Sequence, residues 1–312
     1  YFRTAGLINA SLGLLWLTGV YLIARRMFGK AAGLASVLMC LGMESVAVQF
    51  RLPLADFCFA FFAVAAAFVF IVFVEEKKGE RMLRPCVLYA ILAGFAAVCK
   101  VNGPTMAVAL AVSGGLFAWS RLGWRSGLKY FALAGGVSFA VTAPMYLKNL
   151  LVYGNPLYPF TKIFHNRDLT DGFVDGLVRG KTSDVFLNRI VALHGNIAVW
   201  LWPYYWVVKK FVDSWSPGPA FLVGALLVIA YAKEWWKKYW PLFVAIVILA
   251  CFWFTIKALT RFAWVWVSLL AVFACAPLSM KRARFHEKAV PAVLVSLAAL
   301  VLLAELMTPL MT

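Results

Sequence analysis

The chain has 312 residues, of which 64% are hydrophobic and 14% charged, and its mean hydropathy is +0.85. Soluble domains run to roughly half apolar and about a quarter charged, so these values exclude a soluble enzyme, a disordered chain and a small secreted disulfide scaffold; they point to a polytopic membrane protein. The formal charge of +17, from 30 Lys+Arg against 13 Asp+Glu, would suggest nucleic acid in a soluble protein. Here it is read first as the excess of basic residues in cytoplasmic loops and second as a basic face toward anionic lipid, with no nucleic-acid partner.

A spanning helix needs about 20 apolar residues. In chain order the sequence predicts spans at 5–24, 32–50, 54–74, 86–101, 104–120, 130–150, 220–232, 242–256, 262–278 and 289–307. These runs are continuous, whereas barrel strands would alternate over about 10 residues. The expected fold class is all-α and polytopic, with about ten transmembrane helices. It divides into a bundle of six helices at 1–150, an external loop at 151–215, and four helices at 216–312.

The loops alternate in charge. Seventeen of the 30 Lys+Arg fall in five of them, from Arg25, Arg26 and Lys30 to Lys281, Arg282, Arg284 and Lys288. The positive-inside rule makes this set cytoplasmic and turns the others outward, in a multi-pass protein of the inner (plasma) membrane. The external segment 151–215 holds five of the six Asp, together with an aromatic stretch from Trp200 to Trp206. Were that stretch a span, Lys233 to Lys238 would lie outside, against the rule, so 196–212 is read as an interfacial helix. The chain begins at Tyr1, and its first span must start outside for Arg25 to lie inside. Both features predict a further helix and an external loop before Tyr1.

The six Cys lie in apolar stretches without metal-like or paired spacing and read as buried free thiols. The three His show no ligand spacing, no zinc site is expected, and there is no Gly-rich phosphate loop. No cofactor is evident, and dependence on a divalent metal is left open.

Ionisable groups at membrane depth are costly and are functional candidates by default. Those that matter gather at the external ends of spans: Arg51 and Asp56, Lys100 and Asn102, Lys148 and Asn149, Lys257 and Arg261. Outward-facing Lys and Arg ask for an anionic partner, and lipid phosphate or pyrophosphate is the natural one. Plainer roles stand beside this one. Asp56 could cap a helix or pair with Arg51, while Lys100, Lys148 and Arg261 could snorkel to headgroups of the surrounding membrane lipids. The string from Lys148 to Phe160 turns through Gly154, Asn155 and Pro156 and then Pro159, which builds a stiff loop at the external surface carrying Tyr153 and Tyr158.

That string, Lys-Asn followed by Gly-Asn-Pro-Leu-Tyr-Pro-Phe, resembles a loop of bacterial C-type glycosyltransferases that use polyprenyl-phosphate sugars, a group similar to protein O-mannosyltransferases and aminoarabinose transferases. Further stretches resemble the same family in the same order: Ala-Arg-Arg-Met-Phe-Gly ending at Gly29, Arg51 with Asp56 and the Phe-rich run to Phe62, Gly94 to Lys100, and Thr260-Arg261-Phe262, where the family has Arg-Tyr. The resemblance implies an inverting transfer of a sugar from a polyprenyl-phosphate donor to an acceptor at the external face. Its implied catalytic residues are Asp56 and Arg51, its lipid-phosphate ligands Lys100, Lys148 and Arg261, and its substrate groove Tyr153, Asn155 and Tyr158. The family's principal catalytic carboxylate lies in the first external loop, which would precede Tyr1. The rival readings are a polymerase or ligase of lipid-linked polysaccharide, a transporter or flippase, and a membrane scaffold. A transporter should show inverted repeats and midplane charges, which the sequence lacks.

Overall fold

The computed structural model describes residues 2–42, 46, 50, 56–100, 103–154, 156, 228, 232–256 and 264–279. All regular structure among them is helical. In chain order the α-helices are α1 (Phe2–Phe28), α2 (Lys30–Leu41), α3 (Asp56–Glu75), α4 (Leu83–Cys99), α5 (Pro104–Leu122), α6 (Trp124–Tyr153), α7 (Ala232–Ile256) and α8 (Trp264–Ala274), with short 3-10 turns at Gly79–Met82 and Ala276–Ser279. Six stretches are long and apolar enough to cross a membrane: Gly6–Phe28, Asp56–Glu75, Gly79–Cys99, Pro104–Leu122, Trp124–Tyr153 and Trp235–Phe252. The chain is a multi-pass helical membrane protein.

Helix α3 is the centre of the bundle. Between its terminal acids it carries no charge, and it is apolar all round, the pattern of a helix buried on every side. It packs against α1 and α4, and also touches α7, α8 and α5. Phe73 lies within ring-contact distance of Tyr89 on α4, Phe117 on α5 and Tyr130 on α6, with centroids 5.5–5.7 Å apart. These tilted and edge-on contacts are the favoured geometry for aromatic pairs. A second aromatic knot, Trp235 with Phe243 and Phe273, joins α7 to α8 at 4.9 and 4.6 Å.

Polar ties close one end of the bundle. Glu75, the last residue of α3, accepts hydrogen bonds from Arg26 Nε of α1 at 2.8 Å, from Lys238 Nζ of α7 at 2.8 Å and from the Tyr239 hydroxyl at 2.9 Å. Beside them, Arg121 donates to the Glu76 carbonyl at 3.3 Å and Tyr130 to that of Gly79 at 2.8 Å. This end carries Arg25, Lys77, Lys78, Arg81, Arg84, Arg125 and Lys129 as well, and is the cytoplasmic end by the charge rule.

Several expected boundaries move. Within the span expected at 32–50, α2 ends at Leu41; of the residues beyond it only 42, 46 and 50 are described, and Val46 is helical. The span expected at 242–256 begins at Ala232, which takes Lys233, Lys237 and Lys238 out of the supposed loop and into α7. The cause is aromatic: Trp235 and Tyr239 are 1% and 5% exposed on the inner face, while Lys237 and Lys238 stay exposed on the other. Helix α6 likewise starts at Trp124, not at Tyr130. Six candidate spans are found among the described residues. The expected spans at 220–232 (apart from residues 228 and 232) and 289–307, and the interfacial helix at 196–212, lie outside the described residues.

The Glu75 cluster gathers three helices onto one carboxylate, and hydrogen bonds to a charged group contribute about 1.5–3 kcal/mol each before screening. Glu75→Ala is expected to lower stability by about 1–3 kcal/mol, and Glu75→Gln by less, measured as the thermal unfolding midpoint in detergent.

Candidate functional site

The opposite end of the bundle, the one the sequence reading expects to be external, holds the second polar cluster. Asp56 is the first residue of α3, and Lys100 directly follows the last residue of α4. A carboxylate at a helix N-terminus and an ammonium at a helix C-terminus each complement the helix dipole. Asp56 Oδ1 and Lys100 Nζ form an ion pair, with side chains 5% and 14% exposed. The pair therefore bridges the outer ends of two antiparallel neighbours out of bulk water.

Backbone geometry fixes the cation. Lys100 is extended (φ −154°, ψ 150°), and the chain turns at once into α5, with the Gly103 amide bonded to the Lys100 carbonyl at 2.7 Å. A Cβ on Gly103 would run into the Ala96 carbonyl oxygen and lie 2.6 Å from the Ala97 Cα, so glycine is required by close approach to the α4 backbone. Pro104 follows as the first residue of α5, where its missing N–H costs no helical bond.

Helix α6 passes the same height. It runs alongside α4 in register: Ser138 donates to the Ala90 carbonyl at 2.8 Å, and a Cβ on Gly94 would touch Val141. Lys100 and Lys148 follow that level by six and seven residues. Lys148 itself is exposed, while its neighbour Asn149 is 8% exposed and donates to the Pro156 carbonyl at 3.4 Å. Gly154 closes α6 in the left-handed conformation (φ 64°), its amide bonded to the Leu150 carbonyl at 2.9 Å. Tyr153 is half-buried in the last turn. The stiff loop foreseen from Gly-Asn-Pro thus begins as a glycine-capped helix end tied back by Asn149.

The structure brings Asp56 and Lys100 together and sets Lys148 and Tyr153 at the same end. Arg51, Asn102, Asn155, Tyr158, Lys257 and Arg261 lie outside the described residues. Arg51, the partner weighed for Asp56 on sequence grounds, lies outside the described residues; within them Asp56 pairs with Lys100, 44 positions away. Two further side chains were missed. Cys58 and Cys99 lie with their sulfurs 3.2 Å apart; all six cysteines are free thiols, as read, but Cys58 and Cys99 are only partly buried and Cys251 is exposed, contrary to the reading of all six as buried. The signal was present in their positions, two residues after Asp56 and one before Lys100. Among the described residues, no group of three His, Cys, Asp or Glu side chains is placed to hold a metal ion.

Helical architecture, several spans and paired charges at one end of the bundle define a polytopic membrane protein with a polar site at a helix-end cluster. The chain belongs to the family described as Domain of unknown function (DUF8201), which matches residues 7–268. No curated protein matches it. Two solved structures are similar in fold, both from Archaeoglobus fulgidus. One is the oligosaccharyltransferase AglB in complex with an inhibitory peptide and a dolichol-phosphate, at 17% identity and a TM-score of 0.52, covering 96% of this chain and 43% of that one. The other is an oligosaccharyltransferase in complex with Zn and sulfate, at 19% identity and a TM-score of 0.49, covering 95% of this chain and 39% of that one. The chain thus spans less than half the length of either.

Breaking a buried ion pair on one side strands the other charge and costs about 3–5 kcal/mol, whereas replacing both partners by apolar residues is often neutral. Asp56→Asn and Lys100→Met are each expected to destabilise by that amount, and Asp56→Leu combined with Lys100→Met to recover most of the loss, in thermal unfolding of the detergent-solubilised protein. By the same measurement Gly103→Ala costs about 1–3 kcal/mol through overpacking. Gly135→Ala, where the added methyl meets nothing within 4 Å, changes stability by less than about 1 kcal/mol.

Proposed function

We propose that the protein is a membrane glycosyltransferase that moves a sugar from a polyprenyl-phosphate donor to an acceptor hydroxyl or amine at the external face of the inner (plasma) membrane. The observation that carries this reading is the Asp56–Lys100 pair, an acid and a base held nearly dry at the external end of the bundle. Two things support it further. The ordered motifs resemble C-type glycosyltransferases, and the fold is similar to that of AglB, which was solved with a dolichol-phosphate.

In the proposed reaction the acceptor's oxygen or nitrogen forms a bond to the anomeric carbon while the bond from that carbon to the phosphate oxygen breaks, with inversion. Negative charge grows on the departing lipid phosphate. Lys100, Lys148 and Arg261 neutralise it, as fixed cations at a developing anion do in other active sites. Lys100 enters this role from its ion pair: the arriving phosphate competes for the ammonium, and Asp56 is released to accept a hydrogen bond or proton from the acceptor. Arg51 orients Asp56 or the acceptor. Tyr153, Asn155 and Tyr158 line the groove for lipid or acceptor.

The test is turnover of the complete protein in native membranes supplied with a labelled polyprenyl-phosphate sugar. Removing one positioned charge-stabilising group typically costs about 10²–10³ in rate. Lys100→Ala, Lys148→Ala and Arg261→Ala are each expected to lose transfer on that scale while the protein still inserts. Normal turnover in all three variants overturns the phosphate assignment.

A further inference from the structure

The external ends of α3 and α4 are joined at Asp56–Lys100 and approach a second time beside it. Cys58 lies on α3 two residues beyond Asp56, Cys99 is the last residue of α4, and their sulfurs are 3.2 Å apart. Cys40, Cys86 and Cys275 are buried and Cys251 is exposed, whereas Cys58 and Cys99 are both intermediate. Both therefore keep some accessible surface, and each faces a second thiol.

We propose that Cys58 and Cys99 are an oxidation site that closes to a disulfide beside the Asp56–Lys100 pair. A disulfide is about 2.05 Å long, so the sulfurs have to approach by about 1.2 Å, a distance small side-chain rotations can supply. The side of the membrane favours oxidation as well. The Glu75 end of α3 carries the basic residues that mark the cytoplasm, so the Cys58 end is external, where disulfides form and persist. The co-reactant is a disulfide oxidant of the external compartment, either a small molecule or a thiol-oxidising protein. One thiol, as thiolate, attacks a sulfur of that oxidant to give a mixed disulfide and releases one oxidant thiol. The second cysteine then displaces the other oxidant sulfur. Two electrons and two protons leave the pair, and the oxidant ends as two thiols. The bond ties the first turn of α3 to the end of α4 and holds Asp56 against Lys100. The proposal rests on the orientation of the bundle and not on glycosyl transfer.

The complete protein is tested as it stands in its own membrane. Cells are quenched in acid, free thiols are blocked with N-ethylmaleimide, and the chain is digested without reduction for mass spectrometry. The expected product is a peptide pair joined through Cys58 and Cys99, about 2 Da lighter than the two thiol peptides together, which disappears on reduction. Cys58→Ser is expected to abolish the linked pair and leave Cys99 alkylated. The wild-type measurement stands by itself if that variant folds poorly. Full alkylation of both thiols in the wild type overturns the proposal. So does joining of either cysteine to another partner, or a linked pair that arises only after copper–phenanthroline is added.

Discussion

A charge inside hydrocarbon has to be paired or carried to an interface, and helix α3 meets that constraint at both of its ends. Its 20 residues make about 30 Å of helix, the thickness of a bilayer core. The acids are its first and last residues, Asp56 and Glu75, with no charge between them. Each is met by cations from other helices, Lys100 at one end and Arg26 and Lys238 at the other. These partners come from three different elements, so pinning one helix at two depths also fixes the height of α1, α4 and α7. The apolar faces then have a register in which to pack. Water-driven burial is weak between helices in lipid, where the surroundings are as apolar as the side chains, so such polar ties and close contacts carry more of the specificity.

The two ends are not equivalent. At the cytoplasmic end Arg26 and Lys238 keep 41% and 56% of their side-chain surface, so water and salt screen the pairs, and exposed pairs contribute about 0–1 kcal/mol each. That cluster sets position through its number of donors. At the external end both partners are almost dry, and taking two charges out of water costs several kcal/mol that their attraction does not reliably return. A hydrophobic pair would hold α3 to α4 at least as well. Stability therefore gives a poor reason for Asp56 and Lys100 to be charged, and chemistry at that face gives a better one.

The sequence shows these features to different degrees. Spans α3, α4 and α5 are read to within about three residues because long apolar runs end in charges or at Pro104. The reading fails where one side chain does two jobs. Lys237 and Lys238 look like a loop until Trp235 and Tyr239 are seen to bury the opposite face of the same helix. Residues 32–50 are mostly apolar, and hydropathy alone does not mark the end of α2 at Leu41. At the site, the importance of Asp56 and Lys100 is legible from their depth, but their pairing is not. It joins residues 44 positions apart through a helical hairpin whose rotation is set by packing of Phe73, Tyr89 and Tyr130, and the nearer Arg51 was the obvious local partner. The thiol contact is hidden for the same reason.

The hairpin corner is what turns this pairing into a device. Gly103 packs against the α4 backbone and Pro104 starts α5, and Lys100, at the end of α4, is paired with Asp56. A cation placed in this way is preorganised: it need not be gathered when an anion arrives, and its reorganisation cost is met in folding. Yet it is never idle, since Asp56 already occupies it. Under the proposed reaction an anionic donor must compete with that carboxylate, and coupling between two ligands of one group is reciprocal: whatever loosens Asp56 favours the phosphate, and the phosphate loosens Asp56 by the same free energy. An acceptor that hydrogen-bonds Asp56 would therefore strengthen donor binding at Lys100 without touching the donor. Under the proposed transfer, this pair gives, in two side chains, a physical reason for donor and acceptor to bind cooperatively.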